Sequence, residues 1–429
     1  MAGSFLRRLF GGGAPQPTLP RLLSLCQALL AESGEYASAA IAREALAAYQ
    51  GLDAAAREAF FDALAREYSP PPDAVAKAAA DYRGDPSPEH FIALQEVVEP
   101  PRQELFRRLN MAPGGTAALV EMRKTLLQGL RAHREWRVID ADLLHLLRSW
   151  FNRGFLRLDR IDWRTPALVL EKLIDYEAVH AIRGWWDLRR RLEGDRRCFA
   201  FFHPQLPDEP IIFIEVALTR GMSAHVQPLL DQRAPVAPTQ DADCAMFYSI
   251  TNCQEGLRGI SFGNLLIKQV AEELKREFPQ LRRFATLSPI PGFRRWLEQA
   301  GDKPTLERIA DPAWHVGEAP ETLQKRLLQL CAYYLLRAKQ NGEAGEPLDP
   351  VARFHLGNGA ALERLNWLGD TSEQGMARSA GLMVNYVYWL ADVEKNHERY
   401  FREHFIAASP AIEKLAREAL PNGLEKGAA

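Results

Sequence analysis

Between residues 198 and 289 the chain reads as strand, turn, strand, strand, loop, helix, strand, and this order constrains the fold more than any other feature. CFAFFHP (198–204) and PIIFIEVALT (210–219) are short and rich in β-branched and aromatic residues. The intervening QLPDEP is turn-forming, so the two segments predict an antiparallel hairpin. AMFYSIT (245–251) supplies a third strand, followed by a loop, a helix from Phe262 to about Phe278, and a fourth strand around RFATLSP (283–289). A helix flanked by two strands implies a parallel pair with a right-handed crossover, here added to an antiparallel meander. A helix is expected before the hairpin at 175–192, and helical periodicity returns after residue 320. MVNYVYWL (383–390) fits a strand or a helix equally well.

The first part of the chain has a different period. From about residue 19 to 150 the pattern is helical nearly throughout. After the candidate N-cap Asp53, the residues Ala56, Phe60, Leu64 and Tyr68 recur every four positions on one face. Leu119, Met122, Leu126 and Leu130 do the same after the breaker Pro113-Gly114-Gly115. Ser87 opens another helix with Pro88 in its first turn. The expected organisation is a flexible leader (1–18), a helical bundle (19–150) and a mixed α/β domain with additional C-terminal helices (151–429). A chain of 429 residues exceeds what one core usually supports, which agrees with more than one unit.

Composition narrows the partners. Lys plus Arg is 53 against 55 Asp plus Glu, a net charge of −2, which gives no support for nucleic acid or an anionic membrane. No run of 18 uncharged apolar residues is present, so no membrane-spanning helix is expected. Five scattered cysteines (Cys26, Cys198, Cys244, Cys253, Cys331) lack CxxC spacing and read as small core residues of a reducing, cytoplasmic setting. No group of histidines has metal-ligand spacing, so no metal is expected. Arg7 and Arg8 with no acid before Glu32 are faintly transit-like, although the apolar stretch is too short for a secretory signal.

Three places carry chemistry. The junction Gln254 to Asn264 holds three glycines after a strand and before an amphipathic helix. Free N–H groups at such a helix start face an anion, with a pyrophosphate as the natural guest and Arg258 adding charge. Taken alone, the segment serves equally as a tight turn with a capped helix; it is neither a Walker A loop nor a dinucleotide fingerprint. Ser288 lies where a strand ends at Pro289, a position that often faces a ligand cleft but more often simply stops a strand before a Pro-rich loop. His355 sits among apolar residues before Gly357-Asn358-Gly359, a setting that also suits a buried structural histidine. Spacing alone does not pair it with Ser288.

Meander, Gly-rich loop, helix and following strand together resemble the acyl-CoA platform of GNAT-type acyltransferases. More specifically, FYSIT (247–251), GLRGISFGNLLIK (256–268), LSPIPGF (287–293), FHLGNGA (354–360), LERLNWLGD (362–370) and GLMVNYVYWL (381–390) resemble the malonyl-CoA decarboxylase family in order and spacing. The likeness extends through RGWWDLRRRL (183–192) and, more weakly, into the helical part. It implies a helical N-terminal domain that helps form a homo-oligomer (dimer or tetramer), a GNAT-like catalytic domain, and a role in malonyl-CoA and fatty-acid metabolism. Carried over by position, the family's catalytic serine falls on Ser288 and its catalytic histidine on His355. Its CoA-binding stretch falls on Arg258, Gly259, Ile260, Ser261, Phe262, Gly263 and Asn264, and a further active-site serine on Ser249. Ser261 stands where animal members carry an acidic residue; backbone binding of a pyrophosphate does not depend on that side chain.

The reaction so implied turns malonyl-CoA into acetyl-CoA and CO₂ with no cofactor, because the thioester carbonyl is itself the electron sink. His355 is then the expected proton donor to the carbanion, with Ser288 orienting it or handling the departing carboxylate. Backbone N–H groups near Ser288, or Asn358, are expected to hold the enolate oxygen. Phe247, Ile290 and Phe293 are candidates for an apolar pocket. A GNAT-type acyltransferase using an acyl-CoA donor is the alternative, and an acyl-CoA-binding sensor a third reading.

Overall fold

In the computed structural model, described for residues 18–260, 266–311, 313–317, 320–340 and 345–419, helices run from residue 19 to residue 150 and strands begin at Arg157. Residues 1–17 of the expected leader, and Ser261, Phe262, Gly263 and Asn264 of the Gly-rich loop, lie outside the described residues. The chain forms two compact units. One comprises Met1–Leu156, His203–Pro207 and Gln254–Ser261; the other comprises Arg157–Phe202, Asp208–Cys253 and Phe262–Ala429.

The first unit is helical. The Asp53 carboxylate accepts the Ala56 N–H at 2.8 Å and opens the helix Ala54–Arg66, whose expected face buries Phe60 and Leu64 together with the following Tyr68. Ser87 caps Pro88–Val98 by accepting the His90 N–H. Leu119, Met122 and Leu126 point into the core from Gly115–Gly129, which starts after Gly114 at φ +76°. Phe61 and Trp136 anchor this core with ring centroids 5.0 Å apart. Gly129 is required beside them, because a Cβ there would meet Trp136 at 2.2 Å. The paired helices Pro72–Gly84 and Pro88–Val98 differ from the rest: neither has a buried residue, and Phe91, Ile92 and Val98 are exposed.

The second unit is built on a sheet of eight strands among the described residues: β1 Arg157–Ile161, β2 Arg196–Phe202, β3 Ile212–Thr219, β4 Cys244–Asn252, β5 Arg283–Thr286, β6 Ser288–Pro289, β7 Ala361–Asn366 and β8 Met383–Val387. Their order is β1-β2-β3-β4-β5-β8-β6, with β7 paired to β8. The expected hairpin is β2–β3, and β4 extends the meander antiparallel to β3. β4 and β5 are parallel and joined through the helix Leu266–Glu277, as the strand–helix–strand order requires. β2 is buried along its whole length and β3 up to its last residue, which explains why they read as continuous apolar runs rather than alternating ones.

Two expectations are corrected and one open reading is resolved. The single helix expected at 175–192 is two, Ala167–Tyr176 and Trp185–Arg191, separated by irregular chain and by Gly184 at φ +96°. The open reading of 383–390 resolves as the strand β8 over Met383–Val387, with the remaining residues outside it. The fourth strand breaks after Thr286, and Ser288–Pro289 pairs with β8 as a separate short strand. No helix among the described residues is long and apolar enough to cross a membrane.

Candidate active site

The cleft arises where the parallel pair separates. β4 and β5 stay in register from Cys244–Arg283 to Phe247–Thr286, and the Leu287 N–H makes a last bond to the Phe247 carbonyl at 2.9 Å. Beyond that point β4 carries a bulge: Glu215 faces Ser249 and Val216 faces Phe247, leaving Tyr248 as the extra residue. A bulge kinks the strand and re-aims its side chains. The opening, about 220 Å³, is lined by Phe247, Tyr248, Ser249 and Ile250 on one strand and by Leu287, Ser288 and Pro289 on the other. Val179, Asn252, Pro350, Val351, Phe354 and His355 complete it.

Ser288 and His355 meet in this cleft. Nε2 of His355 lies 3.0 Å from Ser288 Oγ, and its Nδ1 lies 2.8 Å from the Tyr388 hydroxyl. Ser288 Oγ in turn donates to Thr286 Oγ1 at 2.8 Å, and Thr286 Oγ1 accepts the Tyr386 N–H at 3.1 Å. The Tyr386 ring stacks on His355 at 4.7 Å. Burial holds the imidazole pKa down at about 3 and pushes the Tyr388 phenol well above its ordinary value. Because Ser288 gives its one hydrogen to Thr286, it can only accept from Nε2, and the neutral imidazole then takes a hydrogen at Nδ1 from the protonated phenol. Tyr388 donates to Nδ1, Nε2–H donates to Ser288, and Ser288 donates onward.

The helix Pro350–Gly357 delivers His355. Its cap is Asp349, whose Oδ1 accepts the Val351 and Ala352 N–H groups at 2.9 Å each. Oδ2 of Asp349 accepts the Tyr334 hydroxyl at 3.3 Å. The Gly-Asn-Gly run that follows turns the chain at Gly359, φ +82°, where a Cβ would collide with the Val393 carbonyl at 2.1 Å. Asn358 is spent on that helix end: its Nδ2 donates to the Phe354 carbonyl at 2.7 Å, and it is not among the described residues that line the cleft. Of the apolar candidates Phe247 lines the cleft, whereas Ile290 and Phe293 are fully buried, Phe293 against Trp296 and Tyr334.

Ser249 is held by a residue that sequence reasoning missed. Its hydroxyl lies 2.7 and 2.8 Å from the two oxygens of Glu177, which also accepts from Thr251 Oγ1 at 3.1 Å and from the Val179 and His180 N–H groups at 2.8 Å each. Tyr388 and Thr286 were missed likewise. Both stand within strings that carried the resemblance or the strand, but no local spacing marks them as partners of His355 and Ser288.

In the other unit, the described part of the Gly-rich loop begins with the short turn Glu255–Leu257. Gly256 lies so close to the Gly115–Gly129 helix that a Cβ would meet the Val120 carbonyl at 2.0 Å, and Gly259 has φ +82°. The Arg258 side chain is exposed and stands 4.0 Å from Glu255. Asp62, His133 and Glu135 bring ligand atoms within 4.8 Å of one another in the helical unit. Their surroundings are those of structural partners: Asp62 accepts the Trp136 indole N–H at 2.8 Å and the His133 ring stacks on Trp136.

Comparison with known proteins places the chain in a family. The malonyl-CoA decarboxylase C-terminal domain family matches residues 154–426, and the corresponding N-terminal domain family matches residues 68–151. The mitochondrial malonyl-CoA decarboxylase of Anser anser anser is 36% identical over 410 residues, covering 85% of this chain and 81% of its own. A crystal structure of malonyl-CoA decarboxylase from Rhodopseudomonas palustris is 50% identical, covers 92% of this chain and 99% of its own, and superposes with a TM-score of 0.89. The corresponding structure from Agrobacterium vitis is 48% identical over the same shares, with a TM-score of 0.85. On these grounds the chain belongs to the malonyl-CoA decarboxylase family.

Proposed function

We propose that this protein converts malonyl-CoA to acetyl-CoA and CO₂ by a proton relay through Ser288 and His355. The observation that carries the reading is the 3.0 Å contact between Ser288 Oγ and His355 Nε2 in the cleft between the separating strands. The bond between the α-carbon and the carboxylate carbon breaks, CO₂ leaves, and the electron pair passes into the thioester enolate. Protonation of the α-carbon completes the reaction. Burial holds the pKa of His355 far below 7, at about 3, so it acts as a neutral imidazole. Its Nε2–H replaces the hydrogen that Ser288 gives to carbon, and Tyr388 supplies Nδ1; water later restores the proton. A positioned acid of this kind contributes ~10²–10⁴ in rate.

The lining favours loss of the carboxylate. Phe247, Leu287, Pro289, Val351 and Phe354 are apolar, and the described lining residues include no Lys or Arg. A carboxylate taken from water into such surroundings loses hydration that the neutral product does not need. The bulge at Tyr248 re-aims the strand where the cleft opens, and a backbone N–H presented there to the developing enolate oxygen would contribute ~3 kcal/mol. The CoA diphosphate is assigned to Arg258, Gly259, Ile260, Ser261, Phe262, Gly263 and Asn264, by the anion-binding character of a Gly-rich turn before a helix.

Further parts of the proposal concern setting. The exposed Phe91, Ile92 and Val98 of the outlying hairpin favour assembly into a homo-oligomer, dimer or tetramer. All five cysteines are buried free thiols, in keeping with a reducing cytoplasmic site of action in fatty-acid metabolism. The test is incubation with malonyl-CoA, following acetyl-CoA, CO₂ and free thiol together. Stoichiometric acetyl-CoA and CO₂ support decarboxylation, and CoA released without CO₂ indicates acyl transfer instead. The His355→Asn and Ser288→Ala proteins should each lose at least a hundredfold in turnover.

A further inference from the structure

We propose that Arg123, on the helix Gly115–Gly129, is a positioning residue for CoA binding, fixing the peptide between Arg258 and Gly259 so that the Gly259 N–H faces the diphosphate. The inference rests on the assignment of residues 258–264 as the CoA loop, and all the residues that carry it lie within one compact unit.

Arg123 is 2% exposed, so its guanidinium has been taken almost wholly out of water. Its Nη1 donates to the Gly256 carbonyl at 2.7 Å and to the Arg258 carbonyl at 2.9 Å. Nε donates to Asp140 Oδ1 at 2.8 Å, so the charge is balanced from the helix Arg137–Trp150. From the same helix Arg148 reaches the Gly259 carbonyl at 3.3 Å. A buried cation is costly, and an apolar residue would fill this position on a core-facing helix at less expense. What the guanidinium adds is a grip on two main-chain carbonyls of a loop 133 and 135 positions away.

That grip has a directional consequence. In a planar trans peptide the C=O and N–H point in opposite directions. With the Arg258 carbonyl turned into Arg123, the Gly259 N–H points away from the helix. The neighbouring amides are spent inside the loop: Leu257 on Gln254, Arg258 on Glu255 and Ile260 on Leu257, at 3.0, 3.0 and 3.1 Å. Among the described residues the Gly259 N–H has no acceptor. Gly259 at φ +82° makes the concave, left-handed backbone in which amides converge on an anion. The helical unit thereby presets a donor of the CoA loop, rather than serving assembly alone.

The test compares malonyl-CoA with malonyl-pantetheine, which keeps the thioester and lacks the diphosphate. Arg123→Met should raise KM for malonyl-CoA roughly tenfold or more, with kcat within about threefold, and change kcat/KM for malonyl-pantetheine by less than about twofold. Arg123→Lys, which can hold one carbonyl but not the same pair in fork geometry, should fall between and guards against a variant that fails to fold. Equal losses on both substrates, or no loss on either, would overturn the proposal. Arg258→Ala separates the two layers of the argument. If Arg258→Ala discriminates between the substrates and the Arg123 variants do not, the loop assignment stands and the role of Arg123 falls. If neither does, the loop assignment itself falls.

Discussion

The Tyr388 phenol lies 2.8 Å from Nδ1 of His355, leaving Nε2, 3.0 Å from Ser288, as the ring nitrogen directed to the cleft. Tyr388→Phe removes the donor without emptying the space. Turnover of malonyl-CoA should fall roughly tenfold or more while KM stays nearly constant, because the phenol acts on the proton and not on the substrate. Steady-state formation of acetyl-CoA decides the matter, and an unchanged kcat would remove Tyr388 from the relay.

Burial of His355 makes stability depend on pH in a defined direction. In the unfolded chain an imidazole takes up a proton below about pH 6.5, whereas in the fold it does so only near pH 3. Between these values the unfolded state binds more protons, so stability is fully present above about pH 6.5 and is lost as the pH falls toward 3. Urea titrations at pH 7 and pH 5 should show a loss for the wild type about 2 kcal/mol larger than for His355→Asn. Parallel losses would mean that the imidazole is not held neutral.

Glu177 and Ser249 should behave as one unit. The Ser249 hydroxyl lies within bonding distance of both carboxylate oxygens, and the Val179 and His180 N–H groups fix Glu177 through its Oε1. Glu177→Gln and Ser249→Ala should each reduce kcat, and the double variant should lose less than the sum, with a coupling of ~1 kcal/mol or more. Strict additivity in that cycle would show that the carboxylate does not act through the hydroxyl.

Gly292 protects the base of the histidine helix. A Cβ at this position would stand 2.2 Å from the Tyr334 hydroxyl, which bonds the Asp349 cap at 3.3 Å. Gly292→Ala should therefore destabilise the protein by ~1–3 kcal/mol and lower turnover with it. Thermal melts and activity measured on the same preparation check both; an alanine variant with wild-type values would show that the contact yields easily.

Local sequence made the meander legible because β2 and β3 carry strand residues on either side of a turn, and the parallel pair followed from the helix between β4 and β5. The helix expected at 175–192 failed for an identifiable reason. The Glu177 carboxylate folds back onto the Val179 and His180 N–H groups, a local bond that competes with helix continuation. The same residue escaped notice as part of the site because its partner Ser249 is 72 positions away. Ser288 and His355 were individually visible, at a strand end and before a Gly-Asn-Gly turn. Their pairing across 67 positions came from family likeness, since nothing in either segment specifies the other. β7 carries charged Glu363 and Arg364 and becomes a strand through its pairing with β8 rather than through an apolar pattern.

The place of β8 in the sheet has a consequence for synthesis. Met383–Val387 pairs along one edge with β5 at Ala285 and with β6 at Ser288, both laid down about a hundred residues earlier, and along its other edge with β7. Tyr386 and Tyr388, which stack on and bond to His355, arrive with it. A ribosome-bound chain that has not yet released this strand holds an open edge beside Ser288 and a histidine with no partner on Nδ1. Such a chain is prone to strand pairing with its neighbours until β8 inserts. One late insertion thus both closes the edge that would otherwise promote aggregation and completes the surroundings of His355.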